Sequence, residues 1–104
     1  MPPVIKVVDE NFTAVDSVIF EDNLTCSDVP EYMNFNGRIG LTRCTSEKYA
    51  GELVICYFYP DKQEDSYAEF ITDKTAYQLC AKRNKLELAD KLGINLHPKE
   101  REVW

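Results

Sequence analysis

The sequence lacks most of the residues from which catalytic and metal sites are built. It has one histidine, His97, only four glycines, and four cysteines that form no C-x-x-C pair. Gaps of 18, 12 and 24 positions separate the cysteines, which is not the spacing of a zinc site. The glycines form neither G-x-x-x-x-G-K-[ST] nor G-x-G-x-x-G, the two common phosphate-binding loops. We therefore predict no enzymatic activity, no catalytic residues, no metal and no cofactor.

Long apolar runs are also missing, since none approaches the roughly 18 residues that a membrane span needs. The first ten residues, MPPVIKVVDE, contain one lysine and no small-residue cleavage site, which argues against a signal peptide. Two of the cysteines, Cys56 and Cys80, lie among apolar neighbours. We expect a cytoplasmic protein without membrane contact, in which all four thiols are reduced.

Basic residues are scarce over most of the chain. Residues 1–73 hold 14 acidic and 5 basic side chains, residues 74–104 hold 4 and 7, and the net charge is −6. This balance opposes direct binding of nucleic acid, because phosphate neutralisation requires a basic surface. The acidic part is either an ordinary solvated surface or a region that faces a basic partner.

Five runs of strand-forming residues fill the first two thirds of the chain. They are VIKVV (4–8), FTAVDSVIF (12–20), RIGLTRCT (38–45), ELVICYFY (52–59) and SYAEFIT (66–72). The first two are close enough to form a hairpin, and the last three predict a meander over residues 38–72. Gly40 is a possible bulge site within the third run.

The remaining residues favour helix. Thr72 or Asp73 can cap its start, and Gly93 is a suitable terminator. One apolar stripe at helical spacing comprises Tyr77, Cys80, Ala81, Leu88 and Leu92. Leu79 and Leu86 fall on the opposite side of a straight helix, so we favour a break near Asn84.

These elements predict an α+β fold in a single compact domain spanning residues 1–104. An antiparallel sheet of about five strands, made of the N-terminal hairpin and the 38–72 meander, would occupy the acidic residues 1–72. One helix or two short helices from the mildly basic residues 73–104 would pack on one face of the sheet.

One segment, LELADKLGIN (86–95), resembles the second helix and turn of helix-turn-helix domains, with Ala89 four positions before Gly93. The resemblance implies a small regulatory, DNA-associated protein that uses residues 86–102. The chain departs from that pattern where the recognition helix should follow, because Pro98 and Lys99 occupy positions that require helix and a buried aliphatic residue.

The fourth strand is apolar on both faces. The helix can cover one face, and the other needs a second layer, such as the N-terminal hairpin, or another molecule. Tyrosine hydroxyls are costly to bury without a partner. We therefore predict that Tyr57 and Tyr59 point outward, while Val54, Cys56 and Phe58 point inward beneath the helices. A register slip of one residue would reverse this assignment.

Aromatic residues beside carboxylates are typical of protein interfaces. We predict a partner-binding surface that comprises Tyr57, Tyr59, Asp61, Glu64, Asp65, Tyr67 and Glu69. The function expected is that of a non-catalytic inhibitor that blocks the basic site of a nuclease or another nucleic-acid-binding protein, as toxin-immunity and phage anti-defence proteins do. The protein would act as a monomer or a homodimer. A small-molecule-binding domain is the other alternative to the DNA-associated role.

Overall fold

The structure is a computed structural model that describes residues 2–25 and 36–96. Within these residues the strands are β1 (Val4–Val8), β2 (Ala14–Ile19), β3 (Arg38–Arg43), β4 (Leu53–Phe58) and β5 (Tyr67–Phe70). The helices are α1 (Asp73–Lys82) and α2 (Leu86–Lys91), and a short 3-10 turn spans Gln63–Asp65. The α+β class and the five predicted strands are confirmed.

The sheet is mostly antiparallel, as predicted, but one of its strand pairs is parallel. Its strand order is β2-β1-β5-β4-β3, and β1 pairs with β5 in parallel, with Val7 opposite Ala68 and Val8 opposite Glu69. The other three pairs are antiparallel. The N-terminal hairpin therefore joins the free edge of the meander and extends one sheet. Parallel pairing joins segments about 60 residues apart, and local alternation of side chains carries no sign of it.

The helices follow the predicted signals. The hydroxyl of Thr72 accepts a hydrogen bond from the Thr75 N–H at 3.2 Å and caps α1. Asn84 adopts a left-handed φ of 55° and separates the two helices, so the predicted break is confirmed. Gly93, at φ 73°, ends α2, with the Ile94 N–H donating to the Ala89 carbonyl at 3.0 Å.

The helices pack on the face of the sheet that we assigned outward, so the predicted facing of β4 is wrong. Leu53 and Ile55 form one core cluster with Cys80 and Leu88, and Tyr57 packs against its rim. We call this side the outer face. The error lies in the cost assigned to a buried hydroxyl: Tyr57 is only half-buried, and its hydroxyl lies 3.5 Å from Glu69 Oε1.

The predicted helical stripe is correct in part. Cys80 and Leu88 are buried, whereas Tyr77 and Leu92 are half-buried. The other fully buried helical positions are Ala76 and Ala89, whose small side chains allow the helices to approach the sheet.

The opposite, inner face encloses a second core cluster because the sheet coils on itself. The cluster comprises Ile5, Val7, Val18, Phe20, Cys44, Val54, Cys56 and Ala68. The ring of Phe20, just after β2, stacks on Phe58 with centroids 5.0 Å apart. Ser46, just after β3, donates to Asp16 Oδ2 at 2.8 Å, so the two edge strands lie close together. The hairpin thus covers the second apolar face of β4.

The edge of β3 that faces away from β4 forms hydrogen bonds with the chain that follows β2. Asn23 makes two side-chain hydrogen bonds to the backbone of Leu41, and Leu24 N–H donates to the Ile39 carbonyl at 3.0 Å. A Cβ atom on Gly40 would lie 1.8 Å from the carbonyl oxygen of Glu21. Gly40 therefore permits this close approach, and the β3–β4 register runs through it without the predicted bulge.

Cys44, Cys56 and Cys80 are free and buried, as expected. None of the helices described is both long and apolar enough to cross a membrane. The fourth cysteine, Cys26, the single histidine and the place expected for a recognition helix, residues 97–102, lie outside the described residues.

Candidate protein-binding surface

The structure brings most of the predicted partner-binding residues together at one end of β4 and β5. Tyr57 lies directly opposite Tyr67 in the antiparallel pair, and their rings are 5.2 Å apart. The Tyr57 hydroxyl lies 3.5 Å from Glu69 Oε1 on the same face. Two strands therefore hold two rings and one carboxylate in a fixed arrangement.

The turn after β4 contributes further carboxylates and a cavity of about 390 Å³. We call it the tyrosine cavity, and the described residues that line it are Asn36, Tyr59, Asp61, Lys62, Asp65 and Tyr67. The Tyr59 N–H donates to Ser66 Oγ at 2.9 Å across the turn, which fixes the two ends of the connection. The Asn36 amide donates to Asp61 Oδ2 at 3.3 Å. Glu64 is exposed on the 3-10 turn and does not line the cavity.

Phe12 extends this aromatic group, and sequence reasoning missed it. Its ring lies 5.6 Å from that of Tyr67, so Tyr67 sits between Phe12 and Tyr57. Phe12 is nevertheless 68% exposed. The sequence pattern predicts Phe12 within the second strand, but it belongs to the turn between β1 and β2. The available signal was the DENFT motif at residues 9–13, because an aspartate at the start of a turn can accept hydrogen bonds from the backbone N–H groups that follow it.

The backbone at Phe12 is strained. Asp9 Oδ1 accepts hydrogen bonds from the N–H groups of Asn11 at 2.9 Å and Thr13 at 3.0 Å, which holds the turn in place. Phe12 in this turn adopts a φ of 60°, a left-handed conformation that bulky residues rarely occupy. Glycine or asparagine would fit this position at lower cost. An exposed, strained phenylalanine is therefore poorly explained by stability alone.

We call the grouped side chains the tyrosine surface, which comprises Phe12, Tyr57, Tyr59, Tyr67, Asp61, Asp65 and Glu69. The outer face beside it is open, because the helices cover only its β3–β4 part. On β1 and β2 this face carries the directly opposed pairs Val4–Ile19 and Lys6–Ser17, all four exposed. A large part of one sheet face is therefore accessible to another molecule.

The surroundings of the tyrosine surface are acidic. A second groove, of about 230 Å³, is lined by Val8, Asp9, Glu10, Glu69 and Phe70. Glu69 therefore links the groove to the tyrosine pair. Burial, and then the nearby Glu69, raises the pKa of Tyr67, whose phenol is already neutral at pH 7.

The three described thiols show no sign of nucleophilic activation. Burial raises the pKa of Cys44 to about 11 and that of Cys56 to about 12, and it also raises the pKa of Cys80. A reactive cysteine requires the opposite shift, because the thiolate is the nucleophile. Within residues 2–25 and 36–96, no three Cys, His or carboxylate side chains are grouped so that they could hold a metal ion.

Similarity to other proteins does not assign the chain to a family. No family model matches it, and neither a curated protein nor a solved structure does.

Proposed function

We propose that the protein is a non-catalytic binding module whose tyrosine surface binds a basic protein. The partner class is a nuclease or another nucleic-acid-binding protein, and the effect is inhibition by occupation of its basic site. Toxin-immunity proteins and phage anti-defence proteins use carboxylates in this way. The observation that carries the proposal is the row of rings Phe12, Tyr67 and Tyr57, placed beside carboxylates on an uncovered sheet face.

The two kinds of side chain support the proposal in different ways. Aromatic rings provide contact area at small entropic cost and are enriched among the residues that dominate binding energy. Carboxylates steer a basic partner and raise the association rate. The net charge of −6 has the same sign as nucleic acid, so the protein competes with nucleic acid for a basic site and does not bind it.

The strain at Phe12 supports a role in binding in particular. Strained backbone tends to persist where function requires it. The φ of 60° at Phe12 is unfavourable, and the ring that this backbone holds lies largely in water and contacts Tyr67. A partner that covers this ring would remove from water the apolar area that folding leaves exposed, which favours binding.

The proposal is tested by capture followed by competition. Immobilised protein is exposed to a lysate of the organism that encodes it, and retained proteins are identified by mass spectrometry. We expect a basic nucleic-acid-binding protein that duplex DNA or RNA displaces and whose activity the purified protein inhibits. A captured partner that nucleic acid does not displace, or the absence of any basic partner, would contradict the proposal.

Charge reversal separates steering from contact. Replacing Asp61, Glu64 and Asp65 with lysine should mainly slow association and weaken its dependence on salt. Asp61 and Asp65 also line the tyrosine cavity, so replacing them should raise the dissociation rate as well, whereas Glu64 is exposed outside the cavity and should affect association alone. Stopped-flow or surface-binding kinetics at two salt concentrations would show this, and an effect confined to dissociation would assign the carboxylates to the contact itself.

A second candidate function, binding of a small molecule, is favoured by the volume of the tyrosine cavity. Its 390 Å³ lies at the lower end of the range of roughly 300–1,000 Å³ typical of ligand sites. Screening of metabolites by thermal shift distinguishes the two functions. A metabolite that stabilises the wild type and not a Tyr59→Ala variant would favour this second function.

A further inference from the structure

The tyrosine cavity has two kinds of wall, one aromatic and one carboxylate. The rings of Tyr59 and Tyr67 provide the apolar part, and the carboxylates of Asp61 and Asp65 provide the polar part. The Asp61 carboxylate is oriented by the Asn36 amide at 3.3 Å, which leaves its other oxygen available to accept hydrogen bonds.

These walls select for a particular chemical group. Aromatic faces attract cations, and carboxylates pair with them, so a cation satisfies both walls. A guanidinium fits better than an ammonium, because it is planar, stacks on aromatic rings and forms two parallel hydrogen bonds with a carboxylate. A hydrated ammonium keeps its water more tightly and gains less from the ring.

We infer that the tyrosine cavity binds an arginine side chain of the partner protein. The inference rests on the proposed function and specifies which side chain of a basic site enters this surface. The 390 Å³ volume accommodates the long arginine side chain together with water molecules that bridge it to the walls. Arginine is also among the residues most often found at the energetic centre of protein interfaces.

Lys62 gives this inference a distinctive signature. Its side chain lines the same cavity, where the described residues place two carboxylates around one ammonium. Because Lys62 is exposed, an incoming guanidinium can displace it into water. Removing the charge of Lys62 should therefore strengthen arginine binding, whereas removing the charge of Asp61 or Asp65 should weaken it.

The test uses three short peptides as probes, with the full-length protein labelled with ¹⁵N. The peptides are acetyl-Gly-Arg-Gly amide and its lysine and citrulline counterparts, and binding is followed by backbone amide shifts. We expect saturable shifts at Tyr59, Asp65 and Tyr67 with the arginine peptide. Citrulline has the same shape without the charge and should bind about tenfold more weakly or worse. Equal shifts with the arginine and lysine peptides, or none with arginine, would overturn the inference.

Three single variants complete the test. Asp65→Asn should weaken binding of the arginine peptide about threefold to fivefold, and Lys62→Met should strengthen it by about twofold. Glu64→Gln is the matched control, because it removes a neighbouring charge that lies outside the cavity, and its effect should stay below that of Asp65→Asn. Thermal melts would check that each exposed substitution leaves the fold intact. Weakening by Lys62→Met would overturn the inference.

Failure of this inference is distinguishable from failure of the proposed function. If the arginine peptide does not bind but nucleic acid still displaces a captured basic partner, the arginine assignment falls and the proposed function stands. If the peptide binds selectively and no basic partner is captured, the arginine site stands and the proposed function falls.

Discussion

The covered and open parts of the outer sheet face differ in what their apolar side chains contact. In the covered part, Leu53 and Ile55 pack beneath the helices and are almost inaccessible to solvent. In the open part, Val4, Ile19 and Phe12 are 57–68% exposed. Burial in the covered part stabilises the fold, at roughly 25 cal/mol per Å² of apolar area removed from water. The open part contributes little of this stabilisation, and under the proposed function its apolar and aromatic residues serve intermolecular contact.

The largest expected effect is in the covered part. Leu88→Ala should lower the free energy of unfolding by about 2–5 kcal/mol, because it removes a buried side chain of the helix cluster and leaves a cavity. Leu86→Ala on the same helix is the matched control, since Leu86 is 45% exposed. Chemical denaturation of both variants measures the difference. Similar losses in the two variants would show that α2 packs through another face.

A smaller effect is expected for Arg43, whose side chain links the helices to the sheet. The Arg43 guanidinium donates to the Leu92 carbonyl at 2.8 Å and the Gly51 carbonyl at 2.7 Å, and it lies 3.5 Å from Asp73. Arg43→Met keeps most of the side-chain volume and loses these bonds, so unfolding should cost about 1–3 kcal/mol less.

The control for this change is Arg38→Met. The Arg38 guanidinium pairs with Asp22 at 3.5 Å, and both side chains are about half exposed, at 50% and 49%. An exposed pair of this kind contributes about 0–1 kcal/mol. Equal losses of stability in the two variants would remove Arg43 as the link between helices and sheet.

The smallest effect on stability is expected in the open part. Phe12→Gly relieves the left-handed backbone and loses an exposed ring, so the free energy of unfolding should change by less than about 1 kcal/mol. Phe12→Ala loses the ring without this relief and should be less stable than Phe12→Gly by about 1 kcal/mol. Thermal and chemical unfolding measure both. A loss above about 2 kcal/mol in Phe12→Gly would assign Phe12 a structural role.

Local sequence signals predicted the helices above the covered part well. The Thr72 cap, the break at Asn84 and the stop at Gly93 each depend on neighbours in sequence, and each is present in the structure. Strand positions also followed from residue type. Such features are set by backbone preferences that a short segment expresses alone.

Features that depend on distant pairing were not predictable in the same way. Both faces of β4 are apolar, so the alternation of apolar and polar residues could not show which face the helices cover. They pack on Leu53 and Ile55, and Val54 and Cys56 lie on the other face. The coiling of the sheet buries the second face, and it depends on contacts such as Phe20 with Phe58. Phe12 was missed because its left-handed conformation opposes the preference of its residue type.

The central claim, that the open part of the outer face binds a basic protein, is tested most directly by the affinity of the captured partner for three forms of the chain. These are the wild type, Phe12→Gly and Leu86→Ala. Phe12→Gly removes an exposed apolar side chain from the open part, and Leu86→Ala removes one from helix α2. The account expects Phe12→Gly to weaken binding by about 2 kcal/mol, near thirtyfold, and Leu86→Ala to leave it unchanged. Equal affinities of Phe12→Gly and the wild type, or a greater loss in Leu86→Ala, would contradict it.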